Sequence, residues 1–361
     1  RALAVHIGIA SGSVVIAEQG TENPQDVPEY AVTGVAANLA ARLNSIAESG
    51  ETIISDTVYR AVEEYVDCDT LGETKVKGLA NPVLAWRANA LRSKGRKRTD
   101  SRFIGRRAES AQFKGVLESC RDTRSGHAIL VRGEAGMGKT RLAEEFEADA
   151  EQRGFVCHKS LIFDFGVGEG QDAIRTLVRS LLGVPTGSDI LAREVAVAEA
   201  LAGKLCSSDQ RVFLNDLLNL PQSAELQGLY DAMDNTTRNQ GKHTLLAVLI
   251  QALCDRQPRL LVIEDVHWAD VETLSDLAQI TRAVQDCPAV LVMTSRIDGD
   301  PLDQTWRSGT DGSPLLTIDI GPLREAEATQ LAGAFASAVD EFAKKCIERA
   351  GGNPLFLEQL L

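Results

Sequence analysis

No stretch of this chain stays apolar for the ~20 residues that a bilayer-spanning helix requires. The best candidate, residues 245–254, is far too short. The order of basic, apolar and small residues that marks a secretory signal is also missing from the start. Seven cysteines (Cys68, Cys120, Cys157, Cys206, Cys254, Cys287, Cys346) are scattered without a C-x-x-C pair or any metal-ligand spacing. That excludes a disulfide framework and a structural zinc site, and it reads as reduced thiols in a cytoplasmic protein. Positive charge is in deficit: 38 Lys and Arg stand against 51 Asp and Glu, a net charge of −13. A chain so acidic does not have nucleic acid as its general partner. The sequence opens on Arg rather than Met, inside what reads as a strand, and its last residues read as mid-helix. It is therefore expected to be a piece of a longer polypeptide. What is present is ordinary for globular protein, with 44% apolar and 25% charged residues, and 361 residues suffice for two or three domains.

The chain is organised around residues 128–145. A short apolar run, 128–131, feeds Gly133-x-x-x-x-Gly138-Lys139-Thr140, and apolar residues at helical spacing follow (Leu142, Ala143, Phe146). Strand, glycine-rich loop and helix come in the order that a phosphate cradle requires. The glycines let successive N–H groups face one anion, and the helix adds the positive end of its dipole. Lys139 is expected to reach the β- and γ-phosphates of a nucleotide, and the Thr140 hydroxyl to ligate Mg²⁺. The candidate nucleotide-binding set is Gly133, Glu134, Ala135, Gly136, Met137, Gly138, Lys139, Thr140 and Arg141, with ATP and Mg²⁺ as the implied cofactors.

A second apolar run, 259–263, ends in Glu264 and Asp265 and continues Val-His267-Trp268-Ala-Asp270. It reads as a buried parallel strand that delivers carboxylates at its C-terminal edge. One acid holds Mg²⁺, generally through water, and the other orients an attacking water. Glu264 is assigned to the metal side and Asp265 to water activation, with exchanged roles as the alternative. His267 and Trp268 are read as structural supports. Further strands are expected at 155–161, 289–294 and 315–320. Helical periods are expected at 174–182, 195–205, 210–218, 245–255, 324–335 and 341–350. Five strands alternating with helices predict a doubly wound parallel sheet.

Residues 1–90 read as a separate α+β block. Strands are expected at 5–12 and 13–17, joined by a tight turn, and at 30–33, 52–55, 68–76 and 83–88. Helices are expected at 38–48 and 57–64, the second capped by Asp56. Residues 91–102 are basic, carry Gly and Ser, and read as an exposed linker; a nucleic-acid or anionic-lipid patch there is the lesser alternative.

The ordered series His6-Ile-Gly-Ile-x-x-Gly12, Tyr30-x-Val-x-Gly34-x-x-x-Asn38-Leu-Ala-Ala-Arg42-Leu, Gly50-Glu-x-x-Ile-Ser55 and Val76-Lys-Gly-Leu-x-x-Pro82-Val resembles the C-terminal half of a class III nucleotidyl cyclase domain. The resemblance implies a ferredoxin-like α+β fold, a homodimer with sites at its interface, and cyclisation of a nucleoside triphosphate with loss of pyrophosphate. It implies catalytic roles for Asn38 and Arg42. Four apart, they share one helix face, where an amide can hold a sugar oxygen and a guanidinium can neutralise charge growing on phosphorus. The metal-binding aspartates of that family are expected upstream of residue 1. Val35 stands where the family very often has Asp, and Ala31 where many members have a purine-selecting polar residue.

Phe103-Ile-Gly105-Arg106-Arg-Ala-Glu109, the glycine-rich loop, the E-D-x-H-W-A-D string and Gly351-Gly-Asn-Pro354 together resemble the STAND class of AAA-related signalling ATPases. That resemblance implies strand order 5-1-4-3-2, with Gly105 and Arg106 near the adenine. It makes Arg296 a sensor of the γ-phosphate and Pro354 part of a lid that packs on the base. The expected layout is a half cyclase at 1–90, linker 91–102, ATPase domain 103–335 with a helical insertion, and the start of a helical lid at 336–361. Two functions stay open. One is a signalling cyclase regulated by an ATP switch; the other is a non-enzymatic, ATP-dependent regulator with a degenerate cyclase-like dimerisation module.

Overall fold

The computed structural model describes residues 5–19, 29–63, 66–74, 82–91, 103–162, 173–185, 187–335 and 340–361. The chain divides into two compact units, Arg1–Asp100 and Ser101–Leu361. All but the last residue of the expected turn at 77–82 and nearly all of linker 91–102 lie outside the described residues.

In the first unit, strands β1 (Ile7–Ile9), β2 (Val15–Gln19), β3 (Glu29–Thr33), β4 (Thr52–Ser55), β5 (Val66–Thr74) and β6 (Val83–Leu91) accompany helices α1 (Val35–Ile46) and α2 (Asp56–Val62). Four strands form a mixed sheet in the order β1-β4-β6-β5, with β1 parallel to β4 and both β4 and β5 antiparallel to β6. The expected neighbours β1 and β2 lie in different sheets, and β2 pairs with β3 alone. The edge of β1 is taken by β4, reached through the α1 crossover that parallel pairing demands. Helix α1 packs on β1 so closely that a Cβ at Gly8 would collide with backbone atoms of Ala40 and Asn44. Leu43, Ile53 and Ala85 form the small core. The cap of α2 is Ser55, which accepts from the Val58 N–H, and not Asp56. Asp56 is the first helical residue; it accepts from Trp86 Nε1 at 3.2 Å and pairs with Arg60 at 2.8 Å.

The second unit holds β7 (His127–Arg132), β8 (Val156–Leu161), β9 (Arg259–Glu264), β10 (Ala289–Ser295) and β11 (Leu315–Asp319). All pairings are parallel and the spatial order is β11-β7-β10-β9-β8, which is 5-1-4-3-2 in chain order. Helices α3 (Arg107–Thr123) and α4 (Lys139–Gln152) cover one face, over Ile129, Val131, Leu260, Val262, Val290 and Val292. The other face packs on α5 (Ala173–Leu181), α6 (Ile190–Ala202), α7 (Arg211–Leu217), α9 (Asn235–Cys254) and α10 (Val271–Gln285). A buried parallel strand is apolar on both sides, which is why β10 is buried at all seven positions.

The structure adds elements that apolar periodicity passes over: α8 (Ala224–Ala232), α11 (Gln304–Ser308) and the first ten residues of α9. Each begins with a side-chain cap, from Ser223, Asp303 and Asp234. The polar start of α9 packs through Gly241, where a Cβ would strike the Phe213 ring. Helices α12 (Glu325–Phe335), α13 (Glu341–Ala350) and α14 (Pro354–Leu360) share a core of Leu323, Ala328, Leu331, Cys346 and Leu357. Helix α12 buries its apolar face against α13 and α14, so the three C-terminal helices pack as one group.

Strand β8 carries a buried histidine with a consequence for stability. His158 Nε2 accepts from the Arg259 guanidinium at 2.7 Å, leaving Nδ1–H to face the Ser180 hydroxyl at 2.9 Å. Burial, with Arg259 beside it, holds its pKa down at about 4. The native state thus binds this proton less readily than the unfolded chain, so its stabilising share is intact above about pH 6.5 and is lost as pH falls toward 4. Between those limits the unfolding free energy should drop by up to roughly 3 kcal/mol more in the wild type than in His158→Gln. Denaturant titrations at stepped pH check this; parallel curves for the two proteins would refute it.

Candidate functional site

Between β7 and α4 the loop 133–138 turns on two glycines in the left-handed region, Gly136 (φ 79°) and Gly138 (φ 87°). Only glycine adopts this without strain, and the conformation is the one that lines an anion-binding turn with N–H groups. Gly133 abuts the end of β11, where a Cβ would lie 2.6 Å from Ile320 Cγ1. Glu134 and Ala135 are exposed at the loop tip, and the Met137 N–H donates to Glu134 O at 3.3 Å. Gly138 caps α4, so Lys139 and Thr140 fall in its first turn.

Lys139 Nζ donates to the carbonyls of Gly133 and Glu134, at 2.7 and 3.1 Å, curled over its own loop. Burial lowers its pKa, against the pull of Asp265. Thr140 Oγ1 donates to Glu264 Oε2 at 2.6 Å. Asp265, next along, has left-handed backbone (φ 58°) at the end of β9, and its N–H donates to Thr294 Oγ1 at 3.0 Å. Burial raises its carboxyl pKa. His267 Nδ1 stands 3.9 Å from Asp265 Oδ1, and Asp270 caps α10 by accepting from the Thr273 N–H at 2.8 Å. The loop lysine, the threonine and the two acids thus converge at one end of the sheet.

Helix α14 meets the same loop. Asn353 caps α14 and donates through Nδ2 to Ala135 O at 3.1 Å, while the Leu355 N–H reaches Gly136 O at 3.3 Å. A Cβ at Gly136 would lie 2.6 Å from Asn353 Oδ1, so this approach requires glycine. Pro354 Cγ lies 4.0 Å from the Cβ position of Gly138. Arg106 is held in left-handed backbone (φ 54°) after Gly105 (φ 78°). Its guanidinium donates to Met137 O at 3.2 Å and to Gly321 O, which fastens the loop to the segment after β11.

Two arginines of the expected set make contacts of their own, though Arg296 lies near enough to Lys139 and Asp265 to act on the charge of both. Arg141 pairs along α4 with Glu144 (3.1 Å) and Glu145 (3.5 Å). The exposed Arg296 places its guanidinium carbon 5.3 Å from the centre of the Trp268 ring. In the first unit, Asn38 is exposed and Arg42 half-buried on α1. Arg42 Nη1 is buried without a hydrogen-bond partner among the described residues. The side chain of Ala31 lies outside the described residues, whereas Val35 is 75% exposed.

Sequence reasoning missed Thr294, Asn353 and Lys159, whose ammonium pairs with Glu264 Oε1. A polar residue ending a buried strand was the available signal for Thr294; the contacts of Lys159 exist only through strand register.

Two observations fit a triphosphate with magnesium at this place. The turn has the backbone of an anion cradle, and the oxygens of Thr140 and Glu264 converge beside it as a hard divalent cation requires. Among the described residues no group of three or more His, Cys, Asp or Glu could hold a metal by itself.

Comparison with known proteins follows the same division. The family model "AAA ATPase domain" matches residues 102–293, just over half of the chain. The model "Adenylate and Guanylate cyclase catalytic domain" matches residues 1–89. An uncharacterized protein of Rhizobium meliloti (strain 1021) is 26% identical over 99% of this chain and 34% of its own length, so the chain spans about a third of that relative. The adenylyl cyclase CyaB from P. aeruginosa is 28% identical over 26% of this chain and 43% of its own, at a TM-score of 0.22. A STAND protein with a tetratricopeptide repeat sensor from Pyrococcus horikoshii is 16% identical over 71% of this chain and 29% of its own, at a TM-score of 0.37.

Proposed function

The chain belongs to the AAA ATPase domain family, and from that premise we propose that residues 101–361 bind ATP with magnesium and act as a switch for a cyclase in the longer protein. The observation that carries this is the Thr140–Glu264 hydrogen bond beside a lysine-bearing glycine turn. Magnesium would neutralise charge on the β- and γ-phosphates. Lys139 would give up the carbonyls of its own loop for phosphate oxygens, Thr140 and Glu264 would hold the metal, and Asp265 would orient a water. Arg106 and Pro354 would border the base, and Arg296 would swing from Trp268 to the γ-phosphate. The lid is hydrogen-bonded to the carbonyls of Ala135 and Gly136, so a loaded loop and an empty one would favour different lid positions.

For residues 1–90 the proposal is the C-terminal half of a class III cyclase that converts ATP to cAMP and pyrophosphate. Asn38 would hold the ribose and Arg42 the transferred phosphorus, in a homodimer, with the metal-binding aspartates contributed from outside residues 1–361. The unpartnered Nη1 of Arg42 supports this. The protein would work in the cytoplasm; no described helix is long and apolar enough to cross a membrane. A second reading, a non-enzymatic regulator, rests on the exposed Val35 at a position where an acid would serve a cyclase.

The full-length protein with Mg²⁺ or Mn²⁺ should form cAMP, and Arg42→Ala should lower that rate by about 100-fold or more, the scale of losing one charge-stabilising donor. Absence of any cyclic nucleotide from a folded full-length protein would favour the second reading.

A further inference from the structure

Glu264 is the most constrained carboxylate of the site, with a separate partner on each of its two oxygens. Oε2 accepts from Thr140. Oε1 is taken by the ammonium of Lys159, which also lies 3.2 Å from Glu147 Oε1 on α4. The Glu264 side chain is 4% exposed and that of Lys159 36%. Lys159 stands on the neighbouring strand β8 in register with Val262, two places before Glu264 on β9. Registered residues of neighbouring strands share a face, so lysine and glutamate both project toward α4.

We propose that Lys159 is a positioning residue for magnesium: its ammonium fixes Oε1 and thereby aims Oε2 at Thr140, where the metal would sit. This rests on the reading of the site as a MgATP site, and it adds a residue that touches neither nucleotide nor metal. The physical ground is the burial of Glu264. A carboxylate removed from water requires a counter-charge and fixed donors, or it rotates toward whatever solvent remains. Glu147 supports the ammonium from the helix side, so the lysine is held between two elements and does not depend on its own flexible stem for placement. Partners that orient a metal ligand characteristically change metal affinity about 10–100-fold when removed. The opposing effect is that loss of a nearby cation would favour a divalent ion. Positioning outweighs it here, because Lys159 binds the oxygen turned away from Thr140.

The test uses the whole chain, with ATP titrated calorimetrically in EDTA and at stepped Mg²⁺. Lys159→Met should raise the Mg²⁺ concentration for half-maximal enhancement of ATP binding about tenfold. Its ATP affinity in EDTA should stay within about twofold of wild type, and Lys159→Arg should return the midpoint to within about threefold. An unchanged or lowered midpoint in folded Lys159→Met overturns the proposal, as does an equal loss with and without metal, which marks a merely structural role. Should Lys159→Met not fold, Lys159→Gln, whose amide can still donate to Oε1, should raise the midpoint at least about threefold; no shift overturns the proposal. A wild-type chain that binds no ATP in either condition overturns the reading of the site itself. ATP binding with a metal midpoint indifferent to residue 159 overturns only this inference.

Discussion

Lys139→Ala should weaken MgATP binding by about 10- to 100-fold and leave the fold unchanged. The ammonium is half-buried at the mouth of the glycine turn and now donates to the carbonyls of Gly133 and Glu134. Those bonds replace none of the sheet or helix ladders, so their loss costs the fold little. A charge-assisted hydrogen bond to phosphate contributes about 1.5–3 kcal/mol, and every 1.4 kcal/mol is a factor of about ten in affinity. Burial already lowers the pKa of Lys139, with Asp265 opposing; an anion in the turn would shift that balance back toward the charged form. Titration calorimetry on the whole chain reads the effect. Equal affinity in wild type and variant would remove Lys139 from the site.

The second large effect is on stability. Phe146→Ala should cost about 3–5 kcal/mol. Phe146 lies on α4, fully buried, and stacks on the equally buried Phe113 of α3 with ring centres 4.0 Å apart. The pair fills the space between two helices and the sheet face of Ile129, Val131 and Val262. For a unit of this size each kcal/mol shifts the melting temperature by about 2–4 °C, so scanning calorimetry should show a fall of about 6–20 °C. A fall below about 2 °C would contradict the tight stack. Because α4 begins with Lys139 and Thr140, ATP should still raise the melting temperature of this variant, only from a lower start.

The readable part of the sequence was the part written in contiguous signals. The loop 133–140 announces itself by glycines, lysine and hydroxyl between a buried strand and an amphipathic helix. Glu264 and Asp265 stand at the end of an unbroken apolar run, so both strand and carboxylates could be placed. The sheet order followed once five strands were recognised and matched to a family. Polar helix beginnings were not readable. The first turns of α9 and the whole of α8 are held by caps and by contacts such as Gly241 on Phe213, which leave no apolar period in the chain. Lys159 was unreadable for a different reason. Its partner is more than a hundred residues away, and only the register of β8 on β9 brings the two together. Asn353 could be seen as part of a turn, but its amide bond to Ala135 depends on how the C-terminal helices pack.

The most direct test of the central claim is to locate the metal. Crystals grown with Mn²⁺ and a slowly hydrolysed ATP analogue would be measured at the manganese edge. One anomalous peak is expected in direct coordination distance, about 2.1 Å, of Thr140 Oγ1, with Glu264 Oε2 on the same side and Lys139 Nζ turned onto the phosphates. A nucleotide bound with its phosphates away from the 133–140 turn, or a manganese peak remote from both Thr140 and Glu264, would contradict it.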